Sequence, residues 1–262
     1  MDEPADGVDV TTANPARIYD CGLGGYNNFQ VDREQFDKLL EIDPDARLVV
    51  QSNRGFLRRA VRFCVEQGVR QFLDLGSGIP TVGNVHQAAH EMDPGAHVVY
   101  VDNEPIAAAQ TRRLLADQPN AEIVQRDMRD VEGILQAEET RRLLDFSRPV
   151  GLIMASVLHW VHDDVTELLR AYSGALAPGS YLAISHLTDE ACPEQMQQVG
   201  GVFDETTEPV TYRRMAVADE LFAGFDIVEP GVVWTPEWRV DERERVANPE
   251  RAKIWAAVGR KR

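Results

Sequence analysis

Five short apolar runs, RQFLDL, HVVYVD, AEIVQRD, VGLIMAS and SYLAISHL, alternate along the chain with stretches that carry apolar residues at helical spacing. The intervening stretches are GNVHQAAHEM, EPIAAAQTRRLLAD, DVEGILQAEETRRLLDF and DDVTELLRAYSGALAP. This rhythm constrains the fold more than any other feature. Neighbouring parallel strands need a crossover of a dozen or more residues, which a helix supplies. Strands that are apolar throughout are those covered on both faces. The pattern therefore predicts an α/β fold, doubly wound, with a mainly parallel sheet between two helical layers. Farther on, a helix at YRRMAVADELFAG leads to FDIVEPGVV and AKIWAAVGR, which are expected to close a seven-stranded sheet as a hairpin-like pair.

Upstream of the first strand, REQFDKLLEIDP and DARLVVQSNRGFLRRAVRFCVEQG predict two helices, the second stopped at Gly68. Before them, NPARIYDCGLGGYNNFQVD is rich in Gly and Asn and reads as an ordered loop or short helical turn. Its composition favours mobile turns over a stable helix. Ile18, Tyr19, Leu23 and Phe29 nevertheless give it apolar surface to bury, so a lid over a ligand is expected.

Composition narrows the partners. With 262 residues and 44% hydrophobic content the chain can form one sizeable α/β domain with additions. A formal net charge of -16 repels nucleic acid and anionic lipid at long range, and the terminal GRKR is too short to reverse that. The acidic opening MDEPADGVDVTTANP lacks the blocks of a signal peptide, and no apolar run is long enough to span a bilayer, so a cytoplasmic protein is expected. Cys21, Cys64 and Cys192 form no C-x-x-C pair, which indicates reduced thiols and no metal site.

In a doubly wound sheet, ligands bind beyond the carboxyl ends of the strands. After the first strand, Asp74 precedes Gly76, Ser77 and Gly78, glycines that let backbone approach a ligand closely. The dinucleotide fingerprint G-x-G-x-x-G would need glycine at position 81, where Thr81 stands, with Pro80 beside it. Asp102 follows Gly78 by 24 positions, close to the spacing at which a carboxylate meets a ribose diol; capping of the next helix is the competing role. After the third strand, Asp127 suits an adenine amino group and Met128 its face, or they are a strand-end acid and a core residue. After the fourth come Ser156 and His159. His159 is either a group that orients a substrate or takes its proton, or a structural histidine under Trp160.

Together these residues resemble a class I S-adenosylmethionine (SAM)-dependent methyltransferase, with FLDLGSG, VYVDNEP, VQRDMRD and SVLHWVHDD followed by LAPGSYLAIS in the places of its successive motifs. More specifically, NPARIYDCGLGGYNNFQVDRE, SNRGFLRRAVRF, FLDLGSGIPTVGNVHQ, LLDFSRPVGLIMASVLHWV and VEPGVVWTPEWR resemble a bacterial family of SAM methyltransferases first catalogued as a domain of unknown function. Cys21 departs from the larger, commonly aromatic residue expected there. The resemblance implies SAM as cofactor and a division into residues 1–69, an acidic tail, lid segment and helices, and 70–262, a Rossmann-like SAM-binding catalytic domain. It implies that Asp74, Gly76, Ser77 and Gly78 line the methionine and ribose part of SAM, with Asp102 and Asn103 at the ribose and neighbouring adenine edge and Asp127 and Met128 around the base. Ser156 and His159 would face the sulfonium. Tyr19, Gly24, Gly25, Asn27, Asn53 and Arg54 would cover the methionine end, where an arginine fork suits the carboxylate; a solvated helix face is the alternative for Arg54.

Methyl transfer from a sulfonium needs alignment and exclusion of water, and a base only where the acceptor carries a proton. The absence of a triad or paired-acid motif is consistent with that chemistry. His159 is the first candidate base, followed by Tyr19 and Asp20. The acceptor is expected to be a small molecule, with nucleic acid and membranes disfavoured as partners. A SAM-binding sensor without transfer activity competes with this reading, as does a nicotinamide-dependent oxidoreductase, which Pro80 and Thr81 disfavour.

Overall fold

A computed structural model of the chain describes residues 9–81 and 83–262. Residues 1–8 of the acidic opening, and with them part of the expected tail, lie outside the described residues. The five apolar runs form β1 (Gln71–Leu75), β2 (His97–Asp102), β3 (Ala121–Gln125), β4 (Gly151–Ala155) and β5 (Tyr181–Leu187). All pair in parallel, and the chain continues through the antiparallel β6 (Phe225–Ile227) and β8 (Ile254–Lys261). The order is β3-β2-β1-β4-β5-β8-β6, with β7 (Val233–Trp234) pairing β8. The main path has the expected seven strands. The two-residue β7 is an eighth, too short to carry a periodic signal.

The crossovers are α4 (Val85–His90), α5 (Pro105–Leu114), α6 (Val131–Leu135) with α7 (Glu138–Leu143), and α8 (Val165–Ala175). The single helix expected over DVEGILQAEETRRLLDF is thus two short ones. Asp130 caps α6 through the Gly133 amide at 3.0 Å, and Glu138 and Glu139 restart the chain as the first turn of α7. Because successive strands run outward from β1 to β3 and then return to β4 on its other side, strand order switches between β1 and β4. A crevice opens there at the carboxyl ends.

Three helices precede the sheet: α1 (Pro15–Gly22), α2 (Gln30–Ile42) and α3 (Ala46–Glu66). The Gly/Asn-rich segment departs from a mobile turn over its first half. Asn14 caps α1 by accepting the Ala16 amide at 2.9 Å, and Pro15 at the first helical position needs no donor there. Ile18 and Cys21 join Phe36 and Leu39 of α2 in an apolar cluster, so tertiary burial overrides local propensity. The stretch YRRMAVADELFAG yields only a 3₁₀ turn and the four-residue α10 (Ala218–Leu221). A helix absent from the sequence reading, α9 (Pro193–Phe203), packs Met196, Val199 and Phe203 into the same cluster as α1 and α2. No described helix is long and apolar enough to cross a membrane.

Candidate active site

The crevice at the β1/β4 switch opens into a cavity of about 510 Å³, floored by the turns after β1 to β4 and roofed by α1, α2, α3 and α9. Cavities of this size are typical of small-molecule sites. Of the residues singled out in the sequence, Tyr19, Asn53, Arg54, Asp74, Gly76, Ser77, Gly78, Asp102, Asn103, Asp127, Met128, Ser156 and His159 line it.

Gly24, Gly25 and Asn27 are not among the residues that line it, and their local contacts show another use. Asp20, buried under the turn, accepts the Asn27 amide at 2.9 Å and the Asn28 side-chain amide at 2.7 Å. A Cβ at Gly25 would come 1.9 Å from Asp20 Oδ1, and Gly24 adopts φ +77°. The glycines and asparagines therefore serve the wrapping of this loop around a carboxylate. Asp20 itself lies outside the cavity walls.

On the floor, Gly76 and Gly78 both take φ +65°, where side chains other than glycine are strained. Asp102 is not the helix cap. Its Oδ2 accepts the Gly78 amide at 2.7 Å and its Oδ1 the Glu104 amide at 2.9 Å, while Glu104 caps α5 through the Ala107 amide at 2.7 Å. Burial pushes the Asp102 carboxyl up to about 6, against the pull of those amides. Asp74, 5% exposed, is pushed up to about 7 by burial; the Arg54 guanidinium opposes this and the Asp102 charge adds to it. Among the described residues no hydrogen bond reaches the Asp74 carboxylate, which leaves a buried acceptor facing the cavity. Asp127 is held low by the Arg129 side chain, whose Nε donates to it at 2.9 Å. Met128 is 8% exposed, and its carbonyl accepts the Tyr172 hydroxyl at 2.6 Å.

Polar atoms of other residues that line the cavity also lack a partner. Arg54 Nε, Ser77 Oγ and Ser156 Oγ are buried without a partner, although Arg54 reaches Thr81 through its other end at 3.4 Å and lies 5.6 Å from the Tyr19 ring centroid. Buried polar atoms without partners are costly, and a bound ligand is one way to satisfy them. Ser156 adopts φ +55° and is fixed by its amide, which donates to Ser185 Oγ at 3.0 Å; Ser185 in turn donates to Asn53 at 2.5 Å, and Asn53 to the Tyr19 hydroxyl at 2.9 Å. Tyr19 donates onward to the Val50 carbonyl at 3.1 Å. Its hydroxyl is committed on both sides, which suits positioning of α1 on α3 and not proton transfer.

His159 is 4% exposed beside Trp160 and His186. Burial, with the neighbouring His186 and Arg213, holds its proton affinity well below the usual histidine range, so the ring is neutral. The Leu187 amide faces Nδ1 at 3.5 Å. That contact favours the tautomer with the proton on Nε2, a donor without a free lone pair for a substrate proton.

Residues missed in the sequence complete the site. Arg17, 2% exposed, pairs through Nε with Asp32 at 3.0 Å and through a terminal nitrogen with Glu104 at 3.4 Å, tying α1 to the helix that starts beside Asp102. The far end of the cavity is walled by Phe36 and Leu39 of α2, Met196, Val199 and Phe203 of α9, and Lys253, which is ion-paired to Asp43. The apolar spacing of Met196, Val199 and Phe203 was a helical signal, masked by Gly200 and Gly201.

A parallel sheet with one antiparallel edge, a glycine turn after β1 and an acid at the carboxyl end of each of β1, β2 and β3 define the class I SAM-dependent methyltransferases. The chain belongs to the S-adenosyl methyltransferase family Methyltransf_19, whose model matches residues 1–262. Its cofactor is accordingly SAM, and the free polar groups around the cavity fit that molecule's carboxylate, ammonium and hydroxyls. A search of the curated proteins returns no match. Among solved structures, a methyltransferase candidate from Thermobifida fusca YX shares 39% identity at TM-score 0.92, with all of both chains covered. A DUF574 family protein from Streptomyces avermitilis MA-4680 shares 37% at TM-score 0.93, covering 97% of this chain and 99% of its own. The Burkholderia thailandensis 1,6-didemethyltoxoflavin-N1-methyltransferase, at 17% identity and TM-score 0.50 over 81% of this chain and 80% of its own, shares the fold alone.

Proposed function

We propose that the protein transfers the methyl group of SAM to a small-molecule acceptor enclosed in the far half of the cavity. The observation that carries this reading is the continuity of one partly roofed cavity, from the carboxylates and serines of the floor to the apolar walls on α2 and α9. Bound SAM supplies an electrophilic methyl group on a sulfonium. Asp102 receives ribose hydroxyls, Asp127 and Met128 hold the base, and Asp74, Ser77 and Arg54 take the polar methionine end. The roof of α1, α2, α3 and α9 reduces contact with water, which strengthens each of these contacts. His159 is a positioning donor, so the acceptor either presents a lone pair that needs no deprotonation or loses its proton to solvent.

The test is thermal denaturation with SAM, S-adenosylhomocysteine, NAD and NADP, followed by mass spectrometry of candidate acceptors. At a hundredfold excess over Kd, binding adds about 2.7 kcal/mol, which for a chain of this size raises Tm by roughly 5–10 °C. Stabilisation by NAD alone overturns the assignment. Nucleoside binding with no turnover of any acceptor makes the protein a sensor.

A further inference from the structure

Among the polar residues that line the cavity is Lys253, paired with Asp43. The residue is 4% exposed, precedes β8 and adopts φ +53°, a left-handed conformation rarely held by a residue with a side chain. Its carbonyl accepts the Thr188 amide at 3.0 Å, which fixes it at the carboxyl edge of β5, on the ligand side of the sheet. From there its Nζ donates to Asp43 Oδ1 at 2.9 Å and, at 3.4 Å, to the Arg251 carbonyl, while Asp45 Oδ2 stands 4.0 Å away. An ammonium carries three protons, and two have partners here. Asp45 is itself bound by Arg251, whose Nε donates to it at 2.8 Å. Asp43 and Asp45 thus offset Lys253 and Arg251, with Glu250 a weaker neighbour of Arg251, so the cluster offers no unpaired cation to an anionic ligand. Around it the walls are Phe36, Leu39, Met196, Val199 and Phe203.

We propose that this chamber takes an uncharged, predominantly apolar acceptor that carries a hydrogen-bond-accepting oxygen or nitrogen at its distal end, docked on the third proton of Lys253. The inference rests on the methyltransferase reading of the cavity and names the class of molecule methylated there. A net-charged ligand would be buried against a balanced cluster with no opposite charge to meet it. A neutral carbonyl or ring nitrogen completes the ammonium's hydrogen bonds while its body fills the apolar space. Lys253 then selects and positions the acceptor, and the left-handed backbone places its side chain there.

The test uses the full-length protein saturated with S-adenosylhomocysteine and three probes of similar shape: 2-acetylnaphthalene, naphthalene and 2-naphthoate, titrated by calorimetry. The neutral ketone is expected to bind at least tenfold more tightly than either of the others. A double variant, Lys253→Met with Asp43→Asn, removes both charges without stranding one. It is expected to bring the ketone down to naphthalene's affinity while S-adenosylhomocysteine and naphthalene bind as before. Val199→Trp, which fills the chamber, is expected to abolish binding of all three probes with the nucleoside still bound. Equal or tighter binding of the naphthoate, no binding of the ketone to the nucleoside complex, or an unaltered ketone affinity in the double variant overturns the proposal. Failure of S-adenosylhomocysteine to bind the unaltered protein instead overturns the methyltransferase reading, so the two failures are distinct.

Discussion

Gly76 and Gly78 share one backbone conformation, φ +65°, yet their surroundings assign them different tasks. A Cβ on Gly76 would sit 2.0 Å from Val157 Cγ2 and 2.8 Å from Val157 Cβ, whereas a Cβ on Gly78 meets nothing within 4 Å. Alanine at either position incurs the left-handed penalty of about 1–2 kcal/mol. Only at Gly76 does it add overpacking of about 1–3 kcal/mol, because Val157 is 8% exposed and packed into the main core. Gly76→Ala is therefore expected to lose about 3 kcal/mol in all, a fall in Tm of roughly 6–12 °C, and Gly78→Ala about 1 kcal/mol, or roughly 2–4 °C. Binding should rank them the other way relative to stability. A methyl at Gly78 meets only open space in a residue that lines the cavity, so on the proposed reading Gly78→Ala should weaken S-adenosylhomocysteine at least tenfold, about 1.4 kcal/mol. Scanning calorimetry without ligand and titration calorimetry with it separate the two effects. Val157→Ala in the Gly76→Ala background should recover part of the stability, since it removes the methyl groups in collision. Equal destabilisation by the two alanines, or unaltered nucleoside affinity in Gly78→Ala, would refute the reasoning.

Asp102→Ala should weaken nucleoside binding by about 1.5–3 kcal/mol, the range for hydrogen bonds to a charged group; unchanged affinity by calorimetry would mean that the ribose lies elsewhere. The Asp74 carboxyl, pushed up to about 7 by burial, holds its proton more tightly folded than unfolded, so its titration lowers the stability of the ligand-free protein as pH rises from about 4 to about 7. A cationic ligand group prefers the ionised form, so S-adenosylhomocysteine affinity should rise from pH 6 to 8 with proton release, and Asp74→Asn should flatten the profile. Amides of residues 14–31 should exchange hydrogen faster without S-adenosylhomocysteine than with it, while those around Leu73 and Val101 stay protected in both states. Equal protection of that segment would make it a fixed strap.

What could be read from the sequence was whatever short-range chemistry imposes. Strand, helix and capping signals repeat within a few residues, so the parallel sheet and the acids at its carboxyl edge were visible as a pattern. Asp74, Asp102 and Asp127 each stand at or just beyond the end of a strand, where the fold itself delivers them to the cavity. Groups whose role depends on a distant partner left no such trace. Lys253 meets Asp43, Arg17 meets Glu104, and Ser185 meets Asn53 only after the three leading helices dock on the sheet. In GLGGYNN, the glycines and asparagines that composition suggests for a ligand-binding loop are packed around the buried Asp20 carboxylate, a contact that composition alone does not show.

The same distant contacts bear on how the roof and floor communicate. Asp102 touches both the Gly78 amide and the Glu104 amide, and Glu104 reaches Arg17 on α1. Arg17 also donates to Asp32 at the start of α2, whose carboxylate accepts the Asn14 amide at 3.0 Å and the Phe29 amide at 2.8 Å. Both ends of the covering segment thus converge on one buried carboxylate, which Arg17 joins to Glu104, the residue whose backbone amide donates to Asp102. Such a pair is costly to break by halves, since removing either charge strands the other in a dry environment. Glu104 therefore stands between the two: its backbone amide is held by Asp102 and its carboxylate by Arg17, so α1 and the corner at Asp102 share one residue. On the proposed reading, in which Asp102 takes the ribose, the cover is anchored at the cofactor end, and S-adenosylhomocysteine alone is expected to protect residues 14–31 without any acceptor.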